Sequence, residues 1–209
     1  MLKWTKSENA GLLAILVGWG IPVTLAIYVV GPISGSHFNP AVTFALACVG
    51  YFPWSNVGGY VLSQVAGGIV GAVLVWLQFL PHWKRTEDAS TKLAVFCTAP
   101  AIRHTFANLL SEILATAVLI LALLFLGTHE FTQGLKPIVV GLIIISIGLS
   151  LGGTTGFAIN PARDLGPRIA HAFLPIPGKG SSDWSYAWIP VVGPLIGGWL
   201  GVVVYQMFY

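Results

Sequence analysis

The sequence predicts an all-α membrane protein with an inverted repeat of five full transmembrane helices and two half-helices that meet at the midplane. Three observations carry this prediction. Of the 209 residues, 56% are hydrophobic and 8% are charged, whereas soluble domains carry about 25% charged residues. No Asp, Glu, Lys or Arg occurs between Glu8 and Lys84. An Asn-Pro-Ala triplet occurs in each half of the chain.

The composition excludes several function classes. A chain this apolar is neither a soluble globule nor a disordered tail. The net charge of +3 comes from 10 basic and 7 acidic residues without a basic cluster, so no nucleic-acid partner is predicted. Two cysteines give neither a disulfide framework nor a metal site, and no cofactor is expected. Paired acids and nucleophile–base pairs are lacking, which excludes an enzyme.

Five apolar segments qualify as spans, since about 20 apolar residues cross a bilayer. They are Gly11–Val30, Val57–Leu80, Phe106–Gly127, Pro137–Gly152 and Tyr186–Phe208. Only Glu112 places a formal charge inside them. Charged loops lie at Pro81–His104 and Thr128–Lys136.

Two further segments, Ser34–Val49 and Thr154–Phe173, share one order: a Gly-containing extended stretch, the triplet and a short helix. Asn is a favoured helix N-cap and Pro fits the first helical position, so each triplet begins a helix. From Pro40 to Val49 the helix would rise about 15 Å, half of the hydrocarbon core. The shared order indicates an internal repeat. We therefore expect one transmembrane domain over 1–209, with repeats at 1–80 and 105–209 and a linking loop at 81–104.

The irregular stretches before the triplets need a cavity at membrane depth. Half-helices that enter from opposite faces would bring two positive dipole ends together, which repels cations and protons. Asn39 and Asn160 would donate hydrogen bonds to a neutral hydroxyl there. The free carbonyls of Gly35–Phe38 and Thr155–Ile159 would supply matching acceptors.

HFNPAVT and GFAINPARDLGPR resemble the two signature motifs of the aquaporin superfamily, and the chain is similar to its glycerol facilitator (aquaglyceroporin) branch over essentially its whole length. The resemblance implies an aquaporin-like fold and a passive channel for glycerol and similar small neutral solutes, which also passes water and excludes ions and protons. It also implies a homotetramer and places the Pro81–His104 loop outside. The lack of long polar tails favours a bacterial plasma membrane. The pore motifs would be Asn39, Pro40, Ala41, Asn160, Pro161 and Ala162.

The resemblance places the selectivity filter on Trp19, Gly148, Phe157 and Arg163. Arg163 would donate two hydrogen bonds to the hydroxyls of a polyol, while Trp19 and Phe157 would form an apolar wall for its carbons. Water-selective relatives usually carry His where Gly148 lies, so a wider constriction is expected. Trp is also common at membrane interfaces, and the distance of Trp19 from Asn39 favours the filter.

Three residues would support the pore. Glu112 resembles a buried family glutamate that braces a half-helix loop by accepting backbone amides. Asp164 directly after Arg163 resembles the glycerol-conducting branch, although a carboxylate in a first helical turn also suits the helix dipole. His37 would support the first loop, or is an ordinary hydrogen-bonded polar residue.

Three other functions compete with a glycerol channel. The alternative within the family is a water-selective aquaporin, against which Gly148 and Asp164 argue. Broken helices also build ion-coupled transporters, but these need intramembrane carboxylates, and Glu112 is the only one within a full span. An adhesive role would leave the triplets and Arg163 unexplained.

Family members have six full spans, and five are present here. The first repeat lacks the Glu-bearing helix that would match the span containing Glu112, and residues 1–10 would correspond to the loop after it. We therefore expect the 209-residue chain to conduct less in matched vesicles than a version extended upstream.

Overall fold

The computed structural model describes residues 1–130 and 134–209, so residues 131–133 of the Thr128–Lys136 loop lie outside it. Across the described residues the regular elements are helices. They are α1 (Gly11–Ser34), α2 (Pro40–Cys48), α3 (Trp54–Gln78), α4 (Leu80–Arg85), α5 (Ala89–Ala94), α6 (Thr105–Gly127), α7 (Lys136–Leu151), α8 (Pro161–Phe173) and α9 (Ile189–Gln206). The all-α prediction is confirmed.

The five predicted spans correspond to α1, α3, α6, α7 and α9, with ends that differ from the prediction by up to four residues. Four of these helices are long and apolar enough to cross a membrane, and α7 is a shorter apolar helix of 16 residues. The last predicted span, which starts at Tyr186, becomes helical at Ile189. Helix α9 begins at Ile189 because Pro190 occupies its first turn, where a missing N–H costs little.

The predicted linking loop is not irregular throughout. It contains the two short helices α4 and α5, and the Asp88 side chain caps α5 by accepting from the amides of Ser90 and Thr91. The chain start packs on this segment, where Leu2 is buried in one apolar cluster with Trp83. The linking segment therefore forms a small folded layer over one end of the helices.

The half-helices α2 and α8 form as predicted. The Asn39 side chain accepts a hydrogen bond from the Ala41 amide at 2.9 Å. The Asn160 side chain accepts from the amides of Ala162 and Arg163 at 3.0 and 3.1 Å. These hydrogen bonds confirm both predicted Asn N-caps. Pro occupies the first turn of each half-helix, as predicted.

A repeated Gly-Gly-x-x-Gly pattern fits α3 and α9 against the half-helices. A methyl group on Gly68 would lie 3.0 Å from the Ala162 carbonyl oxygen, and one on Gly198 would lie 3.2 Å from the Ala41 carbonyl oxygen. The long helices therefore pack against α8 and α2 through equivalent backbone contacts. Small residues allow such close approach where lipid provides no hydrophobic drive.

The remaining glycines of the two patterns have different surroundings. Helix α9 packs on α6, and a methyl group on Gly197 would lie 2.9 Å from Thr116 Cβ and even closer to the Ile113 carbonyl oxygen. The equivalent Gly67 on α3 has no atom within 4 Å of that point. The two positions thus form a matched pair in which only Gly197 is required for packing.

We predict that Gly197→Ala destabilises the protein by about 1–3 kcal/mol, because the added methyl overpacks the α6–α9 contact. Gly67→Ala is the matched control and leaves stability unchanged or slightly raised, since Ala favours a helix over Gly. Thermal unfolding of both variants in one detergent measures the difference. Equal melting temperatures would contradict the assigned contact.

Candidate functional site

The two loops before the triplets share an unusual backbone conformation. Ser36 and Phe38 have φ of 55° and 45°, and Phe157 and Ile159 have φ of 42° and 44°. Non-glycine residues rarely occupy this left-handed region, and bulky or β-branched side chains occupy it at a cost. Both loops therefore contain strained residues at equivalent positions, which the surrounding structure must hold in place.

Each half-helix cap also contacts the opposite loop. Asn39 Nδ2 donates to the Ile159 carbonyl at 2.8 Å, and Asn160 Nδ2 donates to the Phe38 carbonyl at 2.9 Å. These reciprocal bonds bring the two N-termini together, as the sequence predicts. The expectation that all the loop carbonyls are free is wrong for the last one of each loop. An amide NH₂ carries two N–H donors, and one of them on each Asn makes this bond to the opposite loop.

Glu112 holds the second loop from α6. Its side chain is fully buried, and its two carboxylate oxygens accept from the amides of Ala158 and Ile159 at 3.0 and 2.8 Å. Gly193 on α9 leaves room for the Glu112 side chain, because a methyl group at Gly193 would lie 2.7 Å from Glu112 Cβ. The bracing geometry expected for Glu112 is thus present at the strained backbone of Ile159.

Trp19 and Arg163 come together although they are far apart in sequence. The guanidinium carbon of Arg163 lies 4.3 Å from the centre of the Trp19 ring, within cation–π range. Arg163 Nη1 donates to the Phe96 carbonyl of the linking segment at 3.3 Å. Within the part of the chain that the structure describes, the guanidinium of Arg163 makes this one hydrogen bond to the protein.

Gly148 and Phe157 meet at a second contact. A methyl group on Gly148 would lie 3.1 Å from Phe157 Cζ and less than 3.0 Å from Leu16 Cδ2. One on Gly152 would lie 2.8 Å from Phe157 Cδ1. The ring of Phe157 therefore lies over Gly148 in α7 and over Gly152 directly after the helix. A side chain at position 148 would displace the ring.

Asp164 joins α8 to the linking segment. Its Oδ2 accepts from both the amide and the hydroxyl of Thr98 at 2.7 Å, and its Oδ1 pairs with Arg168 at 2.7 Å. Arg168 also donates to the Thr98 carbonyl at 2.9 Å. Both charged side chains are fully buried. This network fixes the segment whose Phe96 carbonyl holds Arg163.

The Lys179 side chain secures the C-terminal end of α8. Lys179 Nζ donates to the carbonyls of His171, Ala172 and Leu174, each at 2.7 Å, and burial lowers the pKa of Lys179. A cation at the C-terminus of a helix satisfies orphan carbonyls and complements the helix dipole. The half-helix that carries Arg163 is therefore held at both ends.

His37 lies in a mixed polar and aromatic cluster. Its Nδ1 is 3.3 Å from the Thr43 hydroxyl of α2, and its ring packs at 4.8 Å from Phe52 and 5.3 Å from Tyr60. Gln64 donates to the same hydroxyl at 2.9 Å. These contacts link the first loop to α2 and α3, and they fit both a supporting role and an ordinary hydrogen-bonded histidine.

Sequence reasoning missed three residues that contact the predicted site residues: Leu16, Phe96 and Thr98. Leu16 precedes Trp19 by three residues and shares its helix face, a spacing that could have revealed it. Phe96 acts through its backbone carbonyl, which no side-chain pattern reports. Thr98 lies in an irregular segment 66 residues from Asp164, without a periodic signal.

The opposed half-helices, their Asn caps and the converging aromatic and arginine side chains define a helical membrane channel of the aquaporin type. The sequence matches the profile of the Major intrinsic protein family over residues 1–205. It is 59% identical over 205 residues to the glycerol uptake facilitator protein of Bacillus subtilis, covering 98% of this chain and 75% of that one. It is 56% identical over 209 residues to the probable glycerol uptake facilitator protein of Thermotoga maritima, covering 100% and 89% of the two chains.

A solved structure has the same fold. The aquaglyceroporin from Plasmodium falciparum aligns with a TM-score of 0.85 at 28% identity, over 98% of this chain and 84% of that one. The chain therefore belongs to the major intrinsic protein family. It is a multi-pass membrane protein and not an enzyme.

We predict that Asp164→Asn destabilises the protein by about 3–5 kcal/mol, because it leaves the buried Arg168 guanidinium without its carboxylate. The matched control is Asp183→Asn, whose partner Arg103 is 54% exposed. Burial acts to raise the pKa of Asp183, but hydrogen bonds from Arg103 and Ser185 hold it below its usual value. A surface ion pair of this kind contributes less than about 1 kcal/mol.

Thermal unfolding in detergent compares the two variants with the parent protein. A melting temperature lowered as much by Asp183→Asn as by Asp164→Asn would refute the structural importance of the buried pair.

Proposed function

We propose that this protein is a passive channel for glycerol and similar small neutral solutes that also passes water across a bacterial plasma membrane. The observation that carries the proposal is the contact between the Arg163 guanidinium and the Trp19 ring, next to a constriction position that lacks a side chain, Gly148. A polyol has a carbon edge and a row of hydroxyls. An aromatic face beside a guanidinium accommodates both surfaces.

The selectivity filter we propose consists of Trp19, Gly148, Phe157 and Arg163. Arg163 donates to hydroxyls with the N–H groups that the Phe96 carbonyl leaves free. Trp19 and Phe157 exclude water from the carbon edge of the solute. The names of the Bacillus subtilis and Thermotoga maritima relatives support glycerol as the solute.

Ions and protons are excluded at the second narrow point, where the half-helices meet. The N-termini of α2 and α8 both direct partial positive charge toward Asn39 and Asn160. A cation there would be repelled, and the Asn side chains would present amide donors to it, because their oxygens already accept from the amides of their own half-helices. A neutral hydroxyl accepts from the free N–H of each Asn and passes on.

We further propose that residues 1–209 form one channel domain of two repeats and that four copies assemble. The repeated conformations at Ser36 and Phe157 and the equivalent contacts of Gly68 and Gly198 support the repeat. The tetramer rests on the resemblance to the family.

A water-selective channel is the competing function. It needs a narrower and more polar constriction, which a side chain at position 148 would provide. Because a side chain there would displace both Leu16 and Phe157, the packing around Gly148 favours the wider, polyol-conducting form.

We predict rapid glycerol entry into proteoliposomes, and a fall of about tenfold or more for Gly148→His. Such a fall corresponds to a barrier raised by about 1.4 kcal/mol. Glycerol entry falls because the imidazole narrows the constriction, whereas the smaller water molecule still passes. Ser150→His is the matched control, since Ser150 lies on the same helix with its side chain exposed. Stopped-flow light scattering measures both solutes.

Fast water entry without glycerol flux in the parent protein would refute the polyol channel and favour the water-selective alternative. An equal loss of glycerol flux in Ser150→His would show that the histidine acts through folding instead of through the constriction.

A further inference from the structure

Leu16 and Gly20 are the two buried residues of α1. Leu16 is 0% exposed, whereas Leu12 and Leu13 one turn earlier are 55% and 61% exposed. Trp19 follows three residues later, so both side chains project from the same side of α1. Leu16 thus lies directly behind the constriction without facing the solute.

Leu16 shares its space with Gly148 and Phe157. Its Cδ2 lies less than 3.0 Å, and Phe157 Cζ lies 3.1 Å, from the point where a methyl group on Gly148 would stand. Leu16 and Phe157 belong to one buried apolar cluster, against which Trp19 also packs. Leu16 therefore occupies the volume that position 148 leaves empty.

The backbone of Phe157 has little freedom to move its ring. Its φ of 42° is left-handed, and the next two amides are held by the Glu112 carboxylate. The ring can withdraw from the solute path by rotation toward the space behind it, and Leu16 fills that space. The size of side chain 16 therefore sets how far the ring projects.

We propose that Leu16 is a positioning residue that determines the size of solute admitted, acting through Phe157. This inference rests on the proposed function, since it specifies which members of the polyol class pass. A shorter side chain at position 16 lets the ring withdraw and admits longer polyols. A merely structural role would change the amount of folded protein without changing the ratio between solutes.

The first test compares Leu16→Ala with Leu12→Ala in proteoliposomes that contain equal amounts of protein. Glycerol, the four-carbon erythritol and the five-carbon xylitol are the probes. Leu16→Ala raises the ratio of erythritol and xylitol permeability to glycerol permeability by about tenfold, since single methylenes in an apolar pocket discriminate by factors of this order. Leu12→Ala keeps the ratios of the parent protein. Unchanged ratios in Leu16→Ala overturn the proposal.

The second test adds a methyl group at position 148, next to the space that Leu16→Ala leaves empty. Gly148→Ala alone pushes Leu16 and Phe157 aside and lowers glycerol permeability. In the double variant Leu16→Ala/Gly148→Ala the new methyl occupies the vacated volume, so the ratios return toward the parent values. Equal effects of Gly148→Ala in both backgrounds would show that the positions are independent and overturn the proposal. If Leu16→Ala does not fold, Leu16→Val serves in the same comparison.

The parent protein separates this inference from the proposed function. Water flux without glycerol flux in the parent refutes the glycerol channel. In that case the inference stands if Leu16→Ala admits glycerol and falls if it does not.

Discussion

The pore depends on the reciprocal pair of hydrogen bonds that joins the two half-helix caps. Asn39 donates to the carbonyl of Ile159, and Asn160 donates to the carbonyl of Phe38, while each side chain also caps its own helix. A half-helix that ends inside a membrane leaves orphan amides with no water to satisfy them. Because each Asn satisfies an amide of its own helix and a carbonyl of the other loop, neither half-helix is complete without its counterpart.

This arrangement requires strained loops, and the rest of the structure holds them. Phe157 and Ile159 adopt positive φ in the loop that precedes the second triplet. The Glu112 carboxylate fixes the second loop, and the buried Asp164–Arg168 pair fixes the linking segment beside it. Charged groups are costly at membrane depth and persist where they are paired or satisfy backbone groups. Here the Glu112 carboxylate accepts from two loop amides, and the Asp164 carboxylate accepts from Thr98 and pairs with Arg168.

In the proposed channel the solute meets two different surfaces on its path. The constriction combines an aromatic ring, Trp19, with the guanidinium of Arg163, which suits a molecule with one apolar and one hydroxylated side. The meeting point of the half-helices offers amide donors and positive dipole ends, which suits neutral hydroxyls and repels cations. Neither surface involves bond formation, so selection rests on shape, hydrogen bonding and electrostatics.

The sequence by itself determined the helices, the two half-helices and their Asn caps, because these depend on apolar length and on residues adjacent in the chain. The resemblance to the aquaporin superfamily added the prediction that Gly148 leaves room in a constriction. Only the tertiary structure decided what fills that room, since Leu16 and Phe157 are brought together by helix packing. The same holds for the carbonyl of Phe96 on Arg163 and for Thr98 on Asp164. Contacts made by backbone atoms or across long sequence separations have no periodic pattern, so they emerge only when the chain is folded.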